Sequence, residues 1–347
     1  MAGRTVDERV ADVRRLLAAA RAVYGARGAL APAIASSTGL SLEGVELGFE
    51  CLERDANDAD LRSLVAAAGA ARRVHVILAA NVFVAPLRAL ALARAAAPWV
   101  TVRPSPRDPT VARSLVEACG DDAIAIATER DVAQVGEGEI HVYGRDETVA
   151  AVCAGARPGV VVRTHGAGLG AAVVARSASL RDAAEALARD VVLFDQRGCL
   201  SPRVALVEGD ASRAEAFAAS LAEHLGAWDA RAPRGDLRDT ERAASRAYRD
   251  TFAFAGRVFE GAGYAVAFAP SARALAMGPG ARHVGVAAVE NLAGAAAALA
   301  PIAKYLVVVG ADDLRAARAV APPHARVARL GSMQRPPLDG PVDLRGV

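Results

Sequence analysis

Between Arg73 and about Val162 short β-branched runs alternate with alanine-rich or amphipathic stretches. This alternation constrains the fold more than any other feature of the chain. Val74–Leu78, Trp99–Val102, Ala123–Ile126, Glu139–Tyr143 and Gly159–Val162 read as strands. Pro86–Ala97, Pro109–Cys119 and Thr148–Ala156 read as the helices between them, with Asp108 capping the second and Asp146 or Thr148 the third. Parallel strands need such crossovers, and helices on both faces of the sheet explain why the strands are apolar throughout. The expectation is α/β: a doubly wound parallel sheet.

Helical spacing precedes this unit, over Val6–Arg27, Ser41–Leu52 and Ala59–Ala71, where Asp58 is a candidate cap. A second α/β unit follows it. Helices are expected over Leu180–Ala188, Ala211–Leu225, a long stretch ending near Ala255, Asn291–Ile302 and Asp312–Val320. Strands are expected at Arg203–Glu208, Tyr264–Phe268, His283–Val289 and Tyr305–Val309. The proline-rich end, Gly331–Val347, reads as irregular. The boundaries drawn are 1–170 for the helices plus the first sheet, 171–323 for the second unit, and 324–347 for a tail that packs back on the first.

Charge narrows the function. Against 39 Asp and Glu stand 41 Lys and Arg, a formal +2, and aromatics are 4%. A phosphate backbone would have little excess charge to bind and bases few rings to stack on, which argues against nucleic acid. Lys304 is the single lysine, and Tyr305 follows it, so a P-loop is excluded. The longest uncharged stretch, Gly28–Leu42, contains Pro32 and falls short of the ~20 residues of a membrane span. Met1–Arg15 lacks the apolar core of a signal peptide. Cys51, Cys119, Cys153 and Cys199 are far apart with no Cys-x-x-Cys. A reduced, cytoplasmic enzyme without a metal site is expected.

Two glycine segments bear on ligand binding. Gly166-Ala167-Gly168-Leu169-Gly170 has its third glycine one residue early for a dinucleotide fingerprint and reads as a strand-to-loop connection. Gly144-Arg145-Asp146-Glu147-Thr148-Val149 follows a strand and opens a helix, whose free N–H groups suit a phosphate; an ordinary turn would look the same.

Cys199 stands in Phe194-Asp195-Gln196-Arg197-Gly198-Cys199-Leu200-Ser201-Pro202-Arg203, polar and turn-forming surroundings where backbone N–H groups would favour a thiolate. The other three cysteines sit in helical, apolar contexts and read as small buried hydrophobes.

The Cys199 segment resembles the nucleophile segment of the LuxC-type acyl-CoA reductases, fatty-acid reductases of the aldehyde dehydrogenase superfamily. Ala80-Asn81-Val82 is similar to that family's Gly-Asn-Val, Tyr143–Val149 to its Gly-x-Asp-Glu-Thr-Val loop, and Gly331–Gly340 to its C-terminal Gly-x-Met-Gln-x-Pro segment, all in the right order. The resemblance runs from Val74 to the C-terminus and implies an aldehyde-dehydrogenase-like fold: a nucleotide-binding domain plus an α/β catalytic domain. It implies a nicotinamide cofactor and a cysteine acyl-enzyme on Cys199, with the Asn81 amide and the Cys199 N–H stabilising the oxyanion. Gly144, Arg145 and Thr148 would line the nucleotide side of the cleft. Arg103, with Ser105 beside it, would meet the adenosine ribose. An arginine suits the 2′-phosphate of NADPH, with NADH the alternative.

Aldehyde-oxidising relatives carry a glutamate in a Glu-Leu-Gly-Gly segment. Here the matching stretch is Arg163-Thr164-His165-Gly166-Ala167, without a carboxylate. That favours reduction of an acyl thioester, on CoA or an acyl-carrier protein, to an aldehyde. His165 would serve as a base only if a partner oriented it. The alternatives are an NAD(P)-dependent aldehyde dehydrogenase and a non-reducing acyl-handover protein using the same cysteine. A homo-oligomer or an acyl-transferring partner enzyme is the expected association.

Overall fold

Thr5 and Glu8 start the first helix by capping each other: the Glu8 N–H donates to the Thr5 hydroxyl at 3.2 Å, and the Thr5 N–H donates to the Glu8 carboxylate at 2.7 Å. The computed structural model describes residues 4–80, 82–127, 135–274 and 277–345. Helix α1 (Val6–Gly25) is followed by α2 (Arg27–Thr38), α3 (Leu42–Phe49) and α4 (Asp58–Ala68). Sequence reading misses α2, because Gly28 and Pro32 are poor helix residues; Pro32 is nonetheless accommodated, and the buried Ala31 and Ile34 hold the helix down. The cap of α4 is Asn57, whose side chain accepts from the Asp60 N–H at 2.8 Å, so Asp58 is the first helical residue instead.

The first sheet contains β1 (Arg73–Ile77), β2 (Trp99–Arg103), β3 (Ile124–Ile126), β4 (Glu139–Tyr143) and β5 (Val161–His165). Its order is β3-β2-β1-β4-β5 with every pair parallel, so the winding reverses between β1 and β4. The strand expected at Gly159–Val162 lies later. A turn closed by the Val160 N–H on the Arg157 carbonyl takes up Gly159, and β5 then runs in step with β4 until Tyr143 pairs with His165. His165 thereby becomes the last residue of a strand. Helices α5 (Ala85–Ala96) and α6 (Thr110–Cys119) cover one face, backed by α1–α4 through Leu16, Leu64, Leu87 and Leu115, all fully buried. Helix α7 (Asp146–Gly155) covers the other through a small cluster of Ile77, Ile140, Val142 and Val152. Neither expected aspartate caps its helix: Pro109 precedes α6 while Asp108 bridges back to Ser105, and Asp146 turns its carboxylate to the Ala167 N–H at 2.9 Å.

The second sheet contains β6 (Leu169–Val174), β7 (Pro202–Glu208), β8 (Arg257–Glu260), β9 (Ala265–Ala269), β10 (His283–Val289), β11 (Leu306–Ala311) and β12 (Arg326–Arg329). Its order is β12-β11-β6-β7-β10-β9-β8, parallel except for the β8–β9 pair. Helices α8 (Leu180–Val192) and α9 (Ala211–Arg231) pack on one face. Residues of α10 (Asp239–Ala255), α11 (Leu292–Leu299) and α12 (Leu314–Val320) pack on the other. Strand β6 escapes a reading by propensity because Gly170-Ala171-Ala172 has little β preference. A side chain at Gly170 would meet the Leu200 carbonyl at 2.7 Å and Met333 at 2.9 Å, so crowding in the sheet centre sets the residue. Among the described residues no helix is long and apolar enough to cross a membrane.

The chain passes from the first sheet to the second once, through residues 166–168. There the carboxyl end of β5 meets the amino end of β6. The tail crosses the same junction. The guanidinium of Arg88 in α5, 5% exposed, donates to the carbonyls of Pro336, Pro337 and Gly340 at 2.7–2.9 Å. On the other side Asp190 of α8 accepts from the N–H groups of Gly331 at 2.6 Å and Met333 at 3.0 Å.

Candidate active site

The loop before β7 holds Cys199 in place through its neighbours. Phe194, Asp195 and Gln196 all adopt left-handed backbone, with φ of 56°, 50° and 58°. Three consecutive L-residues in that region cost roughly 1 kcal/mol or more each, so the surroundings must over-determine the bend. Each of the three side chains is anchored. Phe194 packs edge-on against Phe83, which packs against Phe49, at centroid distances of 5.6 and 5.1 Å. Asp195 pairs with Arg282 at 2.8 Å and accepts from the Gly235 N–H at 3.0 Å. Gln196 donates to the carbonyls of Pro202 and His283 and accepts from the His283 N–H, at 2.7–3.1 Å. Arg197 reaches back to the carbonyls of Thr38 and Asp236. Behind the loop, the Gln334 amide of the tail donates to the Ser201 hydroxyl at 3.1 Å and the Asp190 carbonyl at 3.2 Å.

So pinned, Cys199 opens on a cavity of about 180 Å³ at the junction of the two sheets. Leu78 and Ala79 after β1, and Tyr143 and Gly144 at the end of β4, bring the reversal point of the first sheet to its wall. Ligands of open α/β sheets occupy that crevice. Apolar residues of α5 and the segment before it, among them Val84, Ala89 and Leu92, extend the lining away from the sulfur. His165, Asp343 and Gln334 lie on the same wall system as Cys199.

The electrostatics differ from the sequence expectation. Burial pushes the Cys199 thiol up to about 11; Asp343 adds to the shift and Arg345 opposes it. The resting sulfur is therefore a protonated thiol rather than a favoured thiolate. Burial pushes His165 down to about 4 against the pull of Asp343, so its imidazole is neutral near pH 7. The ring stacks on Tyr143 at 4.3 Å and 11°. The Tyr143 hydroxyl is buried without a hydrogen-bond partner among the described residues, and burial raises its phenol. Of the other thiols Cys51 is buried and lines the cavity, Cys119 is half-buried, and Cys153 is exposed, which corrects the buried reading for the last.

The other sequence-derived positions divide into two groups. Gly144 lines the cavity with Cys199, and its N–H donates to the His165 carbonyl at 3.1 Å. Arg145 is the residue before α7 and Thr148 lies in its first turn, both exposed, beside the β4 end. Arg103 is the last residue of β2 and Ser105 lies just past it, one strand away from β1 and outside the cavity lining. Asn81 lies outside the described residues; its neighbour Val82 lines the cavity.

Sequence reading missed Asp343, Arg345, Arg282 and Tyr143. Asp343 and Arg345 sit in an irregular tail where no period marks them. Arg282 lies 87 positions beyond Asp195 with no pattern linking the two. Among the described residues no group of three or more His, Cys, Asp or Glu could hold a metal ion.

Comparison with curated proteins finds none that matches. Solved structures of low identity share the fold. An oxidoreductase from Marinobacter aquaeolei is 12% identical, with a TM-score of 0.77 over 100% of this chain and 83% of that one. An NAD-dependent benzaldehyde dehydrogenase from Corynebacterium glutamicum is 15% identical, with a TM-score of 0.69 over 93% and 81%. The NADP-dependent glyceraldehyde-3-phosphate dehydrogenase of Bacillus halodurans C-125, complexed with NADP, is 15% identical, with a TM-score of 0.65 over 93% and 78%. The architecture is thus that of the aldehyde dehydrogenases. Residues 53–344 match the acyl-CoA reductase (LuxC) family, so this chain belongs to that family and is an oxidoreductase.

Proposed function

We propose that this enzyme reduces an acyl thioester, carried on CoA or an acyl-carrier protein, to an aldehyde through an acyl-enzyme on Cys199. The observation that carries the reading is the placement of the Cys199 thiol on the wall of a cavity that also touches the ends of β1 and β4. A nucleotide fits there: the strand order reverses at that point, α7 opens beside Gly144, and Arg103 ends β2. A bound reduced nicotinamide supplies the hydride.

The chain's own residues do the rest. Cys199 loses its proton and attacks the thioester carbonyl; the carrier thiolate leaves with a proton. The Cys199 backbone N–H, with the Asn81 amide, would face the oxyanion. The apolar lining along α5 excludes water from the acyl chain. After reduction the thiohemiacetal collapses, releasing aldehyde and the thiol. No carboxylate stands on β5 where a water-activating glutamate would be, so hydrolysis of the acyl-enzyme is slow and the thioester direction is favoured. The domain limits 1–170, 171–323 and 324–347 go with this reading, the first binding the cofactor and the second carrying the nucleophile. Arg103 favours NADPH over NADH.

The test is to mix the protein with acyl-CoA and NADPH and follow nicotinamide absorbance. Consumption with aldehyde release supports the reductase. Acylated protein without consumption would point to a handover protein instead, and oxidation of aldehyde with NAD(P) and no CoA to a dehydrogenase.

A further inference from the structure

The tail carries an ion pair against the nucleophile. The Arg345 guanidinium binds the Asp343 carboxylate at 2.6 and 2.7 Å and donates to the carbonyls of Ala167 at 2.7 Å, Lys304 at 3.1 Å and Gly166 at 3.3 Å. It thus fastens the crossing between the two sheets. The point a Cβ on Gly168 would occupy is 2.4 Å from Val307 Cγ2, 3.2 Å from Arg345 Nη2 and 3.3 Å from Cys199 Cβ, so the guanidinium and the cysteine side chain close on the same crowded glycine. Asp343, buried, lines the cavity beside Cys199.

We propose that Asp343 and Arg345 are positioning residues whose opposed charges set how readily Cys199 becomes a nucleophile. This rests on the reading of Cys199 as the acylated residue. The other charged groups on the cavity are already engaged: Arg88 with Glu53 at 2.6 Å, and Arg197 with Glu241 at 3.4 Å and two carbonyls. Among the described residues, the first sheet adds the neutral His165 and the phenol of Tyr143 to the cavity lining. Among the described residues, Asp343 and Arg345 are the charged groups that act on the sulfur, and they push the thiol in opposite directions. Burial holds the thiol protonated, and the paired charges shift that balance in opposite directions. Weakening Asp343 leaves the cation to favour the thiolate; weakening Arg345 leaves the anion to oppose it.

The experiment compares Arg345→Gln, Asp343→Asn and Arg345→Lys. Iodoacetamide alkylation of Cys199 is followed against pH by mass spectrometry, with Cys51 and Cys153 as internal standards. Arg345→Gln is expected to move the Cys199 titration up and slow alkylation by about tenfold at a fixed mildly alkaline pH, one pKa unit's worth. Asp343→Asn is expected to move it down and speed alkylation by a similar factor. Arg345→Lys keeps the charge and should stay close to wild type. Both neutral variants break the same ion pair, so a merely structural role would shift both the same way, and that result, or no shift in either, overturns the proposal. Unfolding would show as faster alkylation of Cys51 as well, and the lysine variant then decides: a titration raised as far as by glutamine would also overturn it. The measurement needs neither thioester nor nicotinamide, so failure of the reductase assay and failure here are separate results.

Discussion

Asp195 and Arg282 face each other at 2.8 Å, each 1% exposed, and both stand in left-handed backbone, at φ 50° and 62°. Two strained loops thus meet through one buried ion pair, and Cys199 sits four residues beyond one of them. Removing one partner of a buried pair strands the other charge, at a cost of about 3–5 kcal/mol. Arg282→Met is therefore expected to lower stability by that amount in chemical denaturation and to reduce Cys199 acylation. Asp195→Asn combined with Arg282→Met should recover part of the stability. A single variant within about 1 kcal/mol of wild type would refute this account of the loop.

Cys199→Ser should abolish acyl-thioester reduction while leaving NADPH binding intact. A hydroxyl titrates several units above a thiol, and the neutral His165 is a weak base to activate it. Mass spectrometry after mixing with acyl-CoA alone should place the acyl group on Cys199 and leave the exposed Cys153 unmodified. Turnover by the serine variant contradicts the acyl-enzyme mechanism.

Arg103→Ala should weaken NADPH binding more than NADH binding, by roughly 10- to 100-fold, since a charge-assisted hydrogen bond contributes about 1.5–3 kcal/mol. Titrating both nucleotides into each protein checks it. Equal, small losses for both would show that Arg103 does not read the 2′-phosphate.

Glu139 predicts the acid limb of stability. Burial alone would raise its carboxyl, but hydrogen bonds from His141 and from Arg163 at 2.6 Å outweigh that and hold it at about 2, below the usual 4.5. A depressed folded value contributes stability above the unfolded one and loses it as pH falls from 4.5 towards 2. Glu139→Gln should be less stable at neutral pH and should flatten that limb, measured as denaturant midpoint against pH. Parallel curves for the two proteins would contradict this.

How much was legible follows from where each signal lies. The expected Glu139–Tyr143 and His283–Val289 are β4 and β10 to the residue, because β-branched runs bounded by turns announce themselves. Cys199 stands out in the sequence because polar, turn-forming neighbours surround it, and in the fold it lines the cavity. Strand β6 was hidden because Gly170 is dictated by Leu200 and Met333, residues far along the chain. Asp343 and Arg345 were hidden for a like reason: two charges in a proline-rich tail gain meaning only once the fold sets Arg345 beside Gly168 and Asp343 on the cavity wall. Even the strained run Phe194-Asp195-Gln196 read as a motif without a cause until Phe83, Arg282 and the His283 backbone supplied one.

The single passage between the sheets at residues 166–168 also orders events during synthesis. Everything up to His165 can close its own sheet and helices while later residues are still being made, and the second sheet is complete once Arg329 pairs in β12. A nascent chain at that stage holds Cys199 in a chamber that still lacks Gln334, Pro336, Val342 and Asp343. The wall that finishes the chamber is thus laid down only after both sheets are complete.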